Sequence, residues 1–469
     1  MPLSAESMLA WCRALLDQDA NAPQLSLEQY LAGIPRLDSL NDVPAGTSVL
    51  IRGDVDAKPG AKVGEGDQRL SSMLKTLKFG QQRGWKQIIF GHIGRKPEGS
   101  LDKVRARLEE LLKSPVILIA DWLDESTVTI REEVAEQIRG AANGSFLLLE
   151  NTRRYDIERV LWDVKSDELP KHAETLARLA NQFAEKVARV YVNEALSAGS
   201  LDASSTVVPA AMDRVALGAY VAEEFDGPML RCRQTDLVVF SGLKIDKLDD
   251  LEAMIDRGSV KVVLTAGSLA MALKKATAEL DGQQFGLGVA EDPAHAEKPY
   301  YIPRSRIEQA KQMVSGGRDK GIRFVLPVDF VLQDGRVSET IGPADQQFDV
   351  GPKSSALFAK ELERFVAENK GGKPPVAFHN GVFGMFEDPR FESGTKDFIS
   401  RLKFLTESGA EVYIGGGEGG AALERYGKPN WVTHCFTAGG TVLNALGSQP
   451  VPYLQALCMA ANRKAETAG

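Results

Sequence analysis

Apolar residues recur at helical spacing at the start of the chain. Met8, Leu9, Cys12, Leu15 and Leu16 share one face, which predicts an amphipathic helix over 7–17. A break at 21–24 and a second short helix over 26–31 follow. From residue 48 the pattern changes. Short apolar runs at 49–51, 87–90, 116–120, 145–150 and 189–192 alternate with helical stretches at 70–84, 101–113 and 172–187. The stretch 215–224 reads as a helix that stops at Phe225, Asp226, Gly227 and Pro228. A second series of apolar runs then begins at 237–240, 260–264, 324–328, 376–380 and 412–414. Strands alternating with helices predict an α/β class of two doubly wound (Rossmann-like) three-layer α/β/α domains with parallel sheets. The run 451–459 is apolar enough to dock against the protein.

Open parallel sheets bind ligands beyond the carboxyl ends of their strands, so the residues there carry the candidate chemistry. The strand at 412–414 runs into Gly415, Gly416, Gly417, Glu418, Gly419 and Gly420. Glycines let backbone amides approach an anion, and a neighbouring carboxylate is a hard oxygen ligand suited to Mg²⁺. A second glycine turn, Thr437 to Thr441 with Gly439 and Gly440, opens an apolar segment. That reads as a loop entering a helix N-terminus, where free N–H groups favour phosphate. Either loop alone is a commonplace turn; together, with Glu418 between them, they point to a phosphate site. In the first half, Arg52, Arg69, His92, Arg95 and Arg153 lie at or beyond strand ends, with Asp54 and Asp56 among them. A single such arginine is an ordinary surface charge. Cations after three separate strands suit an anionic substrate. Lys244 and Lys247 follow the first strand of the second half. An anion on one domain and a nucleotide on the other predict phosphoryl transfer across a cleft that closes.

Composition narrows the partners. The 469 residues are 43% apolar and 26% charged, and a net charge of −8 gives no global attraction to nucleic acid or anionic membrane. Four scattered cysteines fit reduced thiols better than a disulfide frame or a zinc site. With no long apolar run and no basic, apolar leader at the start, a cytoplasmic location is the default expectation.

The strand-end wording resembles the phosphoglycerate kinase family. IRGDVDAKP, GDQRL, GHIGRKPEG, LLENTRR, YVNEAL, GLKIDKL, LPVDFV, DVGPKS, FHNGVFGMFE, SGTKDF, IGGGEGG and TAGG occur in family order between about 49 and 446. The resemblance implies a helical extension over 1–45, an acid-binding domain over 46–225, a nucleotide-binding domain over 226–446, and a tail over 447–469 returning toward the first domain. It implies ATP-dependent, Mg²⁺-assisted transfer to and from the carboxylate of 3-phosphoglycerate, in glycolysis or carbon fixation, by closure about a hinge near 215–226. Asp54, Asp56, Arg69, His92, Arg95 and Arg153 would form the acid site, with Arg69 facing the moving phosphoryl group. Lys244 and the amides of Gly439 and Gly440 would stabilise that group in transit. Lys247, Gly267, Asn380, Glu387 and the glycines 415–417 would contact the nucleotide, and Glu418 would hold the metal.

The chain departs from the family pattern at several of these positions. Ser200 and Leu201 stand where the family has a histidine and an arginine, with Asp202 adjacent. Asp56 replaces an asparagine, Glu418 an aspartate and Val382 a proline, and Lys244 and Lys247 are one residue closer together. Thr265 and Ala266 partly replace the glycine run before Gly267. Three readings stay open on the residues alone: the family reaction, a relative phosphorylating a less anionic carboxylic acid, and a non-catalytic nucleotide- or partner-binding member. In the last, the N-terminal extension is a candidate contact for another protein.

Overall fold

The computed structural model describes residues 2–16, 25–243, 245–447 and 450–468, with side chains described as far as residue 463. Asp17, the break at 21–24 and Lys244 lie outside the described residues. The chain divides into two compact units, Met1–Gly227 with Pro450–Gly469, and Pro228–Gln449.

The first unit is built on a six-stranded, wholly parallel sheet. Its strand order is Val116–Ile119, Phe146–Leu149, Lys86–Phe90, Ser48–Gly53, Val190–Glu194, Arg214–Leu217. Val49, Ile51, Ile89, Leu148 and Val192 are fully buried, as strands covered by helices on both faces require. The winding reverses between Ser48–Gly53 and Val190–Glu194, so the crevice for a ligand opens beyond these two strands.

Arg214–Leu217 corrects the reading of 215–224 as one helix. Val215, Ala216 and Leu217 add the sixth strand to the edge of the sheet, beside Tyr191, Val192 and Asn193. Gly218 separates strand from helix, and a Cβ there would lie 2.0 Å from Oε2 of the buried Glu194. The helix itself is Ala219–Glu224, and it runs into a π-helical turn, Phe225–Met229, that contains Pro228.

The N-terminal helix, Ala5–Leu15, is capped by Ser4, whose side chain accepts from Ser7 N. Its stripe of Met8, Trp11, Cys12 and Leu15 is buried within the first unit, and Trp11 Nε1 donates to Thr206 O at 2.8 Å. The C-terminal helix, Pro452–Ala468, lies in the same unit with Tyr453, Leu454 and Leu457 fully buried. Gln455 Nε2 donates to Ala14 O at 2.8 Å.

The second unit has a parallel sheet in the order Arg323–Val325, Val262–Thr265, Leu237–Phe240, Val376–Asn380, Glu411–Gly415, His434–Cys435. The winding reverses between Leu237–Phe240 and Val376–Asn380. Arg323–Val325 is shorter than the run at 324–328, since Pro327 has no N–H for the ladder. A small antiparallel sheet of Phe330–Leu332, Val337–Ser338 and Gln347–Val350 went unread in the sequence, its strands being too short for a clear period.

Candidate active site

In the first unit the reversal point gathers the charged residues that the sequence placed at strand ends. Arg52 belongs to the strand Ser48–Gly53 and its side chain is only 1% exposed. Arg52 Nη2 lies 2.7 Å from His92 Nδ1, the ring nitrogen that also faces Asp202. Burial, with the neighbouring guanidinium of Arg52, pushes the His92 pKa down against the pull of Asp202, so the imidazole is neutral. Arg153 follows the strand Phe146–Leu149 and stacks its guanidinium 4.7 Å from the Trp162 ring centroid.

A single carboxylate sits among these basic side chains. Asp202 Oδ2 lies 2.9 Å from Arg153 Nη2, 3.3 Å from His92 Nδ1 and 3.7 Å from Arg52 Nη2. Trp162 Nε1 donates to Asp202 Oδ1 at 3.0 Å. Asp202 is fully buried; burial alone would raise its pKa, but His92, Arg153 and Arg52 together hold it well below the usual carboxylate range. Glu158 is a second buried acid behind them. Ser204 donates to it through both N (2.8 Å) and Oγ (2.5 Å), and Ser204 Oγ accepts from Arg52 Nε at 3.0 Å. Burial and then Asp202 push Glu158 up to about 7.

The second charged group lies around Arg69, at the start of the helix Gln68–Ser72. Arg69 Nη1 donates to Asp56 Oδ2 and to Asp56 O, both at 2.9 Å, and stands 3.8 Å from Asp54 Oδ1. Asp56 Oδ1 also accepts from Gly94 N at 2.9 Å. Asp54 is wholly buried and accepts from Ser197 Oγ at 2.7 Å, while its Oδ2 has no hydrogen-bond partner among the described residues. Burial raises the Asp54 pKa, opposed by Arg69. Arg95 is exposed on the loop after Lys86–Phe90. Asp54, Asp56, Arg69, His92 and Arg153 therefore converge, and Arg95 stands at the margin. The sequence reading missed the central place of Asp202 and the parts of Glu158, Trp162, Ser197 and Ser204. A charge in a motif loop is visible in a sequence, but the direction of its side chain is not.

The second unit brings its strand ends together through glycine. Gly381 has φ +96°, and a Cβ there would fall 2.1 Å from Ser241 O. Gly267 has φ +66°, and a Cβ there would fall 2.5 Å from Gly242 O. Lys247 opens the helix Lys247–Asp256 and donates Nζ to Ser241 O at 2.9 Å. A side chain on Gly242 would lie 3.1 Å from Lys247 Nζ and 3.9 Å from Glu418 Oε2, so both groups flank that turn.

Gly415 ends the strand, Gly416 turns with φ +97°, and Gly417 begins the helix Gly417–Tyr426, with Glu418 exposed in its first turn. The helix Gly439–Leu446 starts against this turn: a Cβ on Gly439 would be 2.6 Å from Gly416 Cα, whereas one on Gly440 would meet nothing within 4 Å. Asn380 is buried and donates Nδ2 to Gly415 O at 2.7 Å, bracing the first glycine turn. Glu387 is exposed on the loop beyond Val376–Asn380, in the electrostatic reach of Tyr426. No group of three or more metal-binding side chains occurs among the described residues. One exposed carboxylate at the glycine turn fits a Mg²⁺ that arrives with nucleotide phosphates and keeps most of its waters.

A family model described as phosphoglycerate kinase matches residues 40–449. The phosphoglycerate kinase of Eremothecium gossypii is 29% identical over 429 residues, covering 87% of this chain and 94% of that protein. The cytosolic phosphoglycerate kinase of Triticum aestivum is 28% identical over 431 residues, covering 88% and 95%. The crystal structure of the enzyme from Pyrococcus horikoshii OT3 covers 92% of this chain and all of its own, with TM-score 0.69 and 23% identity. The structure of phosphoglycerate kinase from Coxiella burnetii covers 94% and all of its own, with TM-score 0.63 and 22% identity. The family model spans both sheets and both reversal points, and the chain belongs to the phosphoglycerate kinase family.

Proposed function

We infer that this chain is a phosphotransferase moving a phosphoryl group between ATP and the carboxylate of 3-phosphoglycerate, the reaction that goes with its family. The observation that carries the reading is the second unit's reversal point, where Gly267 and Gly381 leave no room for side chains, Gly242 turns at φ +121° and Lys247 stands beside them. Backbone amides, a lysine and an exposed carboxylate are what a nucleotide polyphosphate with its metal needs. Glu418 would hold Mg²⁺, which when bound neutralises charge on the phosphate oxygens. The first turns of Gly417–Tyr426 and Gly439–Leu446 offer amides to the same phosphates. Lys247 supplies positive charge beside them, and Asn380 keeps the glycine turn in shape.

On the acid side, Arg69 is the cation best placed to meet an incoming anion, being a quarter exposed where Arg52, His92 and Arg153 are buried. Asp54 and Asp56 orient it. The transition state spreads charge over three oxygens, so cations and amides do most of the stabilising. The buried Asp202 also favours a second reading, a less anionic carboxylic acid as acceptor.

A coupled assay with ATP, Mg²⁺ and 3-phosphoglycerate tests the reaction directly, with glycerate as the less anionic comparison. The nucleotide half is tested separately by melting temperature, since a ligand of the native state alone stabilises it by mass action. No shift at millimolar Mg-nucleotide would refute the kinase reading.

A further inference from the structure

We propose that Asp202 is a specificity-determining residue, a resident anion that competes with an anionic substrate for Arg52, His92 and Arg153. The proposal rests on the reading that the first unit binds the acid. Three basic side chains with exposures of 1%, 5% and 5% converge on one carboxylate with none. Buried cations need a counter-ion, and here the chain provides its own. A phosphate reaching for these guanidinium groups must displace Asp202 or lie against it, and like charges in a buried site repel strongly.

Asp202 is also held in position. Its backbone oxygen accepts from Ser205 N and Thr206 N, both at 3.0 Å, and Trp162 pins its side chain. On the far side, Glu158 grips Ser204 two residues along. The loop is therefore tied down from both directions, and its carboxylate is built in rather than swung in by chance. What remains for an incoming acid is Arg69 together with exposed Arg95. One carboxylate can be met there, whereas a further phosphate must contend with Asp202.

The test uses Asp202→Asn in the full chain, which keeps the side chain's shape and removes its charge. Two readouts are taken: KM and kcat for 3-phosphoglycerate with saturating Mg-ATP, and melting temperature against sulfate at constant ionic strength. We expect KM for 3-phosphoglycerate to fall roughly tenfold or more, with KM for nucleotide unchanged. Sulfate should stabilise the variant saturably in the low millimolar range and leave wild type without a saturable response. An unchanged or higher KM, with no gain in sulfate response, would overturn the proposal and leave Asp202 a purely structural ion-pair partner. If no protein in the series transfers phosphoryl groups, the reaction assigned above fails, and the sulfate arm still decides the role of Asp202. Should the Asn variant not fold, wild type decides. A saturable sulfate response abolished by Arg153→Gln overturns the idea, and absence of such a response supports it.

Discussion

The contact between the two glycine turns yields a paired test. A Cβ on Gly439 would sit 2.6 Å from Gly416 Cα, and one on Gly440 would have nothing within 4 Å. Comfortable carbon contacts are about 3.5–4.0 Å, so Gly439→Ala must push the turns apart by about 1 Å. The obstructing atom is main chain and a Cβ is fixed by its own backbone, so no side-chain rotation absorbs the shift. Overpacking of this kind costs about 1–3 kcal/mol, and a 1 Å misplacement of catalytic groups costs on the order of 100-fold in rate. Both glycines open the same helix, so the intrinsic helix gain from alanine is shared and cancels in the comparison. We expect Gly439→Ala to lose about two orders of magnitude in kcat and several degrees of melting temperature. Gly440→Ala should stay within about twofold of wild type, since its amide is kept and its side chain has room. Stopped or coupled assays of purified variants, with melting curves alongside, make the comparison. Equal losses in the two variants, or none in either, would refute the steric argument.

Three other outcomes are expected. Asn380→Ala should lower stability by about 1–3 kcal/mol by leaving the buried Gly415 oxygen unpaired, and should shrink the nucleotide-induced rise in melting temperature. Glu194 is buried, which pushes its pKa from 4.5 up to about 8 despite hydrogen bonds from Thr76 and the amides of Tyr220 and Val221. Between those values the native state holds a proton that the unfolded chain has lost, so this contribution is fully present below about pH 4.5 and disappears as pH rises through about 8. Glu194→Gln should flatten that decline, by at most about 3 kcal/mol between denaturant titrations at pH 6 and pH 8.5; parallel curves for the two proteins would count against it. Chelation of Mg²⁺ should abolish most of the ATP-induced thermal shift in wild type, and Glu418→Gln should make the shift less sensitive to Mg²⁺, measured by calorimetry.

Both parallel sheets were legible in the sequence because each strand is a short apolar run closed by glycine or charge. Val215–Leu217 and His434–Cys435 were the exceptions: the first adjoins Ala219–Glu224 with only Gly218 between, so the two apolar stretches merge into one helical-looking pattern, and the second is two residues long and carries no apolar run. The site was legible as a set of strand ends and illegible as a network. Arg52, His92 and Arg153 are visible as basic residues, yet their common partner lies 49 residues beyond Arg153 and is identified only by the fold of its loop. Asn380 reads as a nucleotide contact in the motif and is used in the structure on Gly415 O. Motif letters report residue type and order, whereas hydrogen bonds depend on which face of a turn a side chain leaves.

The helix Pro452–Ala468 has a consequence for how the chain is made. It contributes Tyr453, Leu454 and Leu457 to the interior of a unit whose other residues come from the first half of the chain. During synthesis the first half is exposed while about 220 further residues are added, roughly 10–45 seconds at ordinary elongation rates. The second unit is contiguous and can fold as soon as it emerges, although it is made later. The ribosome therefore delivers an open first unit, a complete second unit, and last of all the piece that closes the first. Shortening the chain by its final twenty residues would remove an interior wall, and nascent chains stalled before that point should be cut by protease in the first half while the second half resists.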